Sequence, residues 1–338
     1  MSDIRVIHFQ DPQAFLDAVK QYDDSFMNFA LGSLPDSLNS ENSLAKDQPA
    51  TYRTLLAAYK GDRLIITLTK ARDDFAWALA TPRGVEEELS SQDTADAVER
   101  LVVLLSNTIE PKLLDSVIGP FDLVNAFIET WVSHMHTQGL QLRALDPFFN
   151  SRVSFATLGT IPPSSSAFSQ YRFTLAETEE DANAVAPLAV DFTSDGPRTT
   201  TLDKAKRIMH AAVQMKQVWL CHVEGQLAAY SLVGRVTPRT IAIRNVYVSP
   251  AHRRKGIAEA MVRALTRYYL GAEPLGFEGA PSPKPAIGTR EEICLNVAKE
   301  DVARLYERCG FLLGPDDQDP ATGRKGSFKS VWRGVEIL

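Results

Sequence analysis

Only three cysteines, Cys221, Cys294 and Cys309, occur in 338 residues, an odd number without paired spacing. That pattern excludes a disulfide framework and offers no zinc site, so the thiols are expected to stay reduced. A surplus of positive charge is also missing, since the formal net charge is −6. Proteins that coat nucleic acid neutralise phosphates with excess Lys and Arg, so no nucleic-acid partner is expected. A mildly acidic chain instead favours a cationic substrate. No uninterrupted apolar run is long enough to span a bilayer, which excludes a membrane-spanning helix. The start, Met1-Ser2-Asp3-Ile4-Arg5, lacks the basic-then-apolar pattern of a signal peptide, and no Gly follows Met1 to accept a myristoyl group. A cytoplasmic location is the expectation. His134 and His136 flank Met135, but residues two apart on a helix point to different faces, so no metal is expected there.

What is present suits a globular protein: 44% hydrophobic and 23% charged residues over a length that accommodates two domains, each with its own core. The clearest boundary is Ile161-Pro162-Pro163-Ser164-Ser165-Ser166, where a Pro pair and a Ser run can join neither a helix nor a central strand. Domains over 1–160 and 170–338, with a linker over 161–169, follow. A second irregular stretch, Gly271 through Arg290, holds Pro274, Pro281, Pro283 and Pro285 and reads as an inserted loop able to move.

After the linker, the alternation in Tyr171 to Leu175 predicts a strand, and helical spacing follows over Glu179 to Phe192 and Thr201 to Gln214. Strands are expected at Val218 to Val223, Leu227 to Gly234 and Thr240 to Val248, the first two joined by the turn Glu224-Gly225-Gln226. A helix from Gly256 to Leu270, a strand at Ile293 to Val297, a helix from Asp301 to Cys309 and strands near Phe311 and over Phe328 to Val335 complete this half. The first half reads in the same order. Its strands fall at Ile4 to Phe9, Tyr52 to Tyr59, Leu64 to Thr69, Phe75 to Ala80, Val117-Ile118, Leu140 to Leu145 and Val153 to Leu158. Its helices fall near Pro12 to Leu31, Asp93 to Thr108 and Phe121 to Gln138. A repeat of element order suggests two related units.

Chemistry concentrates at one turn. Tyr247-Val248-Ser249-Pro250 ends an apolar strand, because Pro250 cannot continue a paired central strand. His252, Arg253, Arg254 and Lys255 follow, and Gly256 and Ala258 open an amphipathic helix. Such a turn directs unpaired N–H groups and the positive end of a helix dipole at one point, which suits a phosphate. Gly256 and Ala258 are small enough for the anion to reach the main chain, and Arg253, Arg254 and Lys255 supply cationic arms. The same residues could simply be a solvated basic helix start with a turn glycine. Coenzyme A, with a pyrophosphate and a 3′-phosphate, matches the loop.

The run Val246-Tyr247-Val248-Ser249-Pro250-Ala251-His252-Arg253-Arg254-Lys255-Gly256-Ile257-Ala258 resembles the acyl-CoA-binding motif of the GCN5-related N-acetyltransferases (GNAT). In that motif Arg or Gln, two residues, Gly, one residue, and Gly or Ala follow a strand, and Arg253, Gly256 and Ala258 stand at those positions. Ala303-Arg304-Leu305-Tyr306-Glu307-Arg308-Cys309-Gly310-Phe311 is similar to the family's later helix and the strand after it. The resemblance spans about residues 170 to 338. It implies an α/β acyl-CoA N-acyltransferase (GNAT) fold with a mixed twisted sheet. With the repeat, it implies a tandem of two such domains, the first degenerate because Thr81-Pro82-Arg83-Gly84 lacks the spacing of a phosphate-binding turn.

The resemblance further implies that Val246, Tyr247 and Val248 hold the pantetheine arm in a gap between strands, and that Arg253, Arg254, Lys255, Gly256, Ile257 and Ala258 hold the pyrophosphate of acetyl-CoA. No metal is implied. Tyr306 matches the family's tyrosine near the sulfur. A phenol with a pKa of about 10 can protonate a thiolate of about 8.5 and stay un-ionised at neutral pH, although Tyr306 can equally be read as a packing residue. Glu300 departs from the pattern, standing where the family often carries Asn, and Ile241 to Val248 contains no acid to serve as base. Asp191, Asp195 and Glu292 are candidates for that role. Cys309, three residues beyond Tyr306, reads as a core thiol because the family transfers the acyl group directly.

The function expected is acetyl-CoA-dependent N-acetylation of a primary amine, with a small molecule favoured over a peptide or protein. Another acyl donor, an oxygen acceptor, or a non-catalytic acyl-CoA-binding regulator would keep the same loop. The sequence does not specify an oligomeric state.

Overall fold

A computed structural model describes residues 3–36, 38, 53–72, 75–194, 196 and 199–338. The chain divides into two compact units, one formed by 1–153 with 328–338 and the other by 154–327. The segment expected as a linker, 161–169, thus lies inside the second unit. The last strand, expected with the second half, belongs to the first.

The first unit contains strands β1 (Ile4–Phe9), β2 (Thr54–Lys60), β3 (Arg63–Lys70), β4 (Trp77–Ala80), β5 (Ser116–Pro120) and β6 (Leu142–Ala156, up to Val153). Its longer helices are α1 (Pro12–Val19), α2 (Ser91–Ser106) and α3 (Phe121–Thr137). Helix α2 starts at a reciprocal cap, with Ser90 and Asp93 each bonding the other's backbone N–H. Its Val98, Leu101 and Leu105 pack with Phe127, Ile128 and Trp131 of α3 against Leu56, Leu68 and Val117 of the sheet. Strands β1 to β4 pair antiparallel in sequence, and β4 pairs parallel with β5 through Trp77↔Val117 and Ala78↔Ile118. The C-terminal strand, Ser327–Ile337, closes the order by pairing antiparallel with β5 from Ser330↔Pro120 to Gly334↔Ser116.

The second unit repeats this topology. Its strands are β7 (Phe173–Leu175), β8 (Val218–Val223), β9 (Gln226–Gly234), β10 (Thr240–Val248) and β11 (Glu292–Val297), which makes the C-terminal strand β12. Strands β7 to β10 pair antiparallel in sequence and β10 pairs parallel with β11. The helices that flank them are α4 (Glu179–Ser194), α5 (Leu202–Gln214), α6 (Ile257–Leu270) and α7 (Glu300–Arg308). The β8–β9 hairpin turns at Glu224 and Gly225, both at positive φ (52° and 76°), with Val223 paired to Gln226. Two left-handed residues match the twist of the flanking strands. Val185, Met209 and Val213 of α4 and α5 pack on Leu220 and Tyr230, while Met261 and Leu265 of α6 join Trp219, Ile293 and Leu295 in another cluster.

Three segments differ from the sequence reading. Leu142–Ala156 is one strand, not two. Asp146-Pro147 resembles a turn, but both residues are exposed, where a missing Pro donor costs nothing. Phe311 and Leu313 are buried without forming a strand, and Leu312 bonds the Phe155 carbonyl. The stretch from Gly271 to Arg290 is irregular yet packed. Phe277 meets the rings of Trp219 and Tyr268 at 6.2 and 6.3 Å, and Glu278 bridges Arg172.

Arg267 ties this stretch down. Its guanidinium donates to Pro274 O (from Nε at 3.1 Å and Nη2 at 2.6 Å), to Leu275 O at 3.2 Å and to Pro162 O at 3.0 Å, from a side chain in a residue only 8% exposed. A planar fork with several donors can hold three carbonyls at once, which a compact ammonium cannot. Among the described residues no helix is long and apolar enough to cross a membrane. Arg267→Met is expected to cost about 1.5–3 kcal/mol in urea denaturation and to open 271–290 to limited proteolysis; an unchanged midpoint would show that the clamp is dispensable.

Candidate active site

Strand β10 has different neighbours along its two edges. Its pairing with β11 runs from Thr240↔Glu292 to Ile243↔Leu295 and stops, while its pairing with β9 continues to Val248↔Ala229. The break coincides with a bulge. Ile243 faces Val233 and Asn245 faces Leu232, so Arg244 is the extra residue, which turns the strand locally. Beyond the bulge Asn245 is pinned to β9: Ser231 Oγ donates to its carbonyl at 2.9 Å, and its Nδ2 donates to the Tyr230 hydroxyl at 3.3 Å. The half-buried Val246, Tyr247 and Val248 therefore border β11 without pairing to it.

The basic turn follows directly. Pro250–His252 form a short 3-10 turn, with Ser249 Oγ 2.9 Å from His252 Nδ1. Arg253 is extended, and Arg254 and Gly256 stand at φ 64° and 81°. For Arg254 the left-handed region costs about 1–2 kcal/mol, a cost that Gly256 avoids. A Cβ on Gly256 would also lie 3.3 Å from the Phe168 ring. Helix α6 then begins without a side-chain cap, and its first internal bond is Ala260 N to Gly256 O. Among the described residues, the N–H groups of Gly256, Ile257, Ala258 and Glu259 meet no backbone acceptor.

These amides, the helix dipole and the exposed Arg254 and Lys255 fit a phosphate group. Ile257 takes part through its backbone alone, because its side chain is buried at 1% exposure. Arg253 folds back over β10: its Nε donates to Val248 O at 3.1 Å and its guanidinium lies 5.5 Å over the Tyr247 ring. Glu259 would oppose an anion at the helix start, but it is bonded by Arg263 (2.9 Å) and Arg308 (2.8 Å). Burial pushes its carboxyl up, and the bonds from Arg308 and Arg263 outweigh that and hold it below its ordinary value.

Tyr306 lies on α7, buried at 9% exposure, in the cluster that also packs Val246 and Val248. Its ring centroid is 5.9 Å from that of Phe311. Burial raises its phenol above the ordinary value, so the hydroxyl keeps its proton at neutral pH. Burial pushes Cys309 up to about 12, and its thiol lies 3.8 Å from Glu259 O. A thiol so rarely ionised is a poor nucleophile. Glu300 opens α7, where a carboxylate meets the positive end of the helix dipole.

Two of the three acidic candidates are placed, and they lie apart. Glu292 pairs with Thr240, at the far end of β10 from the gap. Asp195 lies outside the described residues. Asp191, in the last turn of α4, accepts the Tyr247 hydroxyl at 3.4 Å, and that hydroxyl also accepts Arg253 Nη2 at 3.4 Å. Sequence spacing could not find this contact, since 56 residues separate Asp191 and Tyr247. His134 contacts Ser106 and His136 the Leu142 backbone; among the described residues no group of three metal-ligating side chains occurs.

The corresponding turn of the first unit is built otherwise. Gly84, at φ 78°, precedes a helix of four residues, Val85–Glu88, and Arg83 is buried beside the Phe26 ring at 5.4 Å. A Cβ on Gly119 would stand 2.4 Å from Leu79 O, so β4 and β5 are in backbone contact where β10 and β11 part.

Residues 214–312 match the family described as acetyltransferase (GNAT) domain. No curated protein matches the chain. Among solved structures, the chain is similar to a tandem GNAT protein from the clavulanic acid biosynthesis pathway, 13% identical over 99% of this chain and 98% of that one, with a TM-score of 0.45. It is similar also to a GCN5-related N-acetyltransferase from Sphaerobacter thermophilus, 15% identical over 98% and 95%, with a TM-score of 0.46. Diaminobutyrate acetyltransferase EctA from Paenibacillus lautus is 24% identical over 29% of this chain and 57% of its own, with a TM-score of 0.25.

A carboxyl held below its ordinary value stabilises the fold above its unfolded pKa, about 4.3, and loses that contribution as pH falls through the folded value. The stability gap between the chain and Glu259→Gln is therefore expected at pH 7 and should shrink as the pH falls below the ordinary carboxylate range. A gap that stays constant with pH would mean that Glu259 contributes through packing.

Proposed function

We propose that the chain, whose residues 214–312 are an acetyltransferase (GNAT) domain, transfers an acetyl group from acetyl-CoA to the primary amine of a small molecule. The observation that carries this reading is the parting of β10 from β11 directly upstream of the left-handed turn at Arg254 and Gly256. An extended arm fits beside Val246, Tyr247 and Val248, and phosphates fit the amides of Gly256 to Glu259 with Arg254 and Lys255. When bound, acetyl-CoA supplies an activated thioester carbonyl and a thiolate leaving group.

The residues of the chain take the remaining roles. A backbone N–H near Val248 stabilises the oxyanion, and a fixed donor of this kind acts without reorganising during the reaction. Tyr306 protonates the departing sulfur, a role supported by its protonated state and by its shared cluster with Val246 and Val248. Asp191, exposed beside Tyr247, accepts the proton that the amine nitrogen sheds as the C–N bond forms. With Arg83 buried and β4 and β5 in contact at Gly119, the first unit is read as carrying no second cofactor.

Free-thiol release from acetyl-CoA across polyamines, amino acids, aminoglycosides and peptides tests the activity. Cofactor binding without turnover on any of them would favour the non-catalytic regulator. Tyr306→Phe is expected to lower kcat by about 10²–10⁴-fold while acetyl-CoA still binds. Because burial raises the phenol, kcat should not fall on the alkaline side until above about pH 10, the ordinary tyrosine value. Asp191→Asn should lower kcat/KM for the amine by about 10²-fold or more at neutral pH without changing acetyl-CoA affinity; an unchanged value would remove Asp191 from the mechanism.

A further inference from the structure

We infer that Tyr171 is a positioning residue for the phosphate-binding turn, acting through the carbonyl of Lys255. The Tyr171 hydroxyl donates to Lys255 O, across 84 residues of sequence. Tyr171 is 8% exposed and sits in the same core cluster as Ile257 and Met261, so the bond starts from a packed base. A trans peptide points its C=O and the next N–H in opposite directions. Holding Lys255 O toward Tyr171 therefore turns Gly256 N–H away from the core, in line with the other unpaired amides of the helix start.

The segment before Tyr171 supports it. Ser166–Phe168 form a 3-10 turn, and Tyr171 N bonds Phe168 O at 3.0 Å. The Phe168 ring lies against Gly256, and the Arg263 guanidinium stands 5.7 Å over it. Upstream, Pro162 O is one of the carbonyls clamped by Arg267. Gly310, at φ 97°, allows Ile161 to approach, since a Cβ there would stand 2.7 Å from Ile161 Cα. The stretch between Ile161 and Tyr171 is thus fixed to the second unit at both ends and lies under the turn. Arg254 is held left-handed at a local cost, so an external tether on the adjacent peptide has a physical purpose.

The inference rests on the reading of this turn as a CoA phosphate site, and the test keeps the two apart. Titration calorimetry would measure CoA and pantetheine, which lacks the pyrophosphate, against the chain and Tyr171→Phe. The substitution removes the hydroxyl and keeps the ring. CoA affinity is expected to weaken about tenfold, the size of one hydrogen bond, with pantetheine affinity unchanged. In turnover, KM for acetyl-CoA should rise with kcat at saturation unchanged.

Equal CoA affinity in the two proteins would overturn the inference and leave the cofactor site standing. A parallel loss of CoA and pantetheine would mark Tyr171 as a general packing residue and overturn it too. Absence of CoA binding by the unsubstituted chain would overturn the cofactor reading, and this inference with it. Phe168→Ala, which keeps the hydroxyl contact, should weaken CoA less than Tyr171→Phe; a larger loss would transfer the positioning role to the ring.

Discussion

Strands β10 and β11 keep register for four pairs, Thr240↔Glu292 to Ile243↔Leu295, and then separate, and the rest of the site follows from that separation. Parallel strands that part expose a stretch of backbone edge inside a sheet, where polar groups otherwise pair. Here the stretch is Val246 to Val248, and it begins where β10 bulges at Arg244. The bonds from Ser231 to Asn245 and from Asn245 to Tyr230 keep β10 attached to β9, so the opening stays on one edge. The same strand delivers the chain to Pro250, whose missing donor ends the strand and starts the turn.

The one carboxylate in the first turn of α6 is neutralised. Glu259 lies in the first turn of α6, where it favours the helix on its own account but would repel a phosphate. Arg263 and Arg308 neutralise it from the next turn and from α7. The first unit differs at the corresponding place: the strand order is repeated and Gly84 is again left-handed, yet Arg83 is buried, the helix that follows has four residues, and a Cβ on Gly119 would meet Leu79 O. Fold and function are decided at different levels, and only the second depends on these few residues.

Much of this architecture is legible residue by residue. The strands expected at Val218 to Val223 and Thr240 to Val248, and the helix expected at Gly256 to Leu270, match the observed β8, β10 and α6 closely, because each is bounded by turn residues next to it in sequence. The geometry of the turn from Arg253 to Ala258 is legible for a related reason: Pro250 and Gly256, close in sequence, mark the end of the strand and the left-handed start of the helix. Segments stabilised by distant partners were misread. Pro and Ser in 161–169 signal a linker, and nothing local reveals Arg267 holding Pro162 or Tyr171 reaching Lys255. The prolines of 271–290 likewise suggest freedom, although Phe277 is packed among three aromatic rings.

The sequence by itself determined most of the element order, the repeat, the basic turn after Pro250 and the candidacy of Tyr306, since all of these depend on residues close in the chain or on their period. Tertiary structure alone decided that β10 leaves β11 after Ile243 and that 328–338 completes the first unit. It alone also brought Asp191 against Tyr247. Those facts are contacts between residues tens to hundreds of positions apart. Local propensity carries no record of them, because the free energy that selects them is gained only when the sheet and its helices have closed on one another.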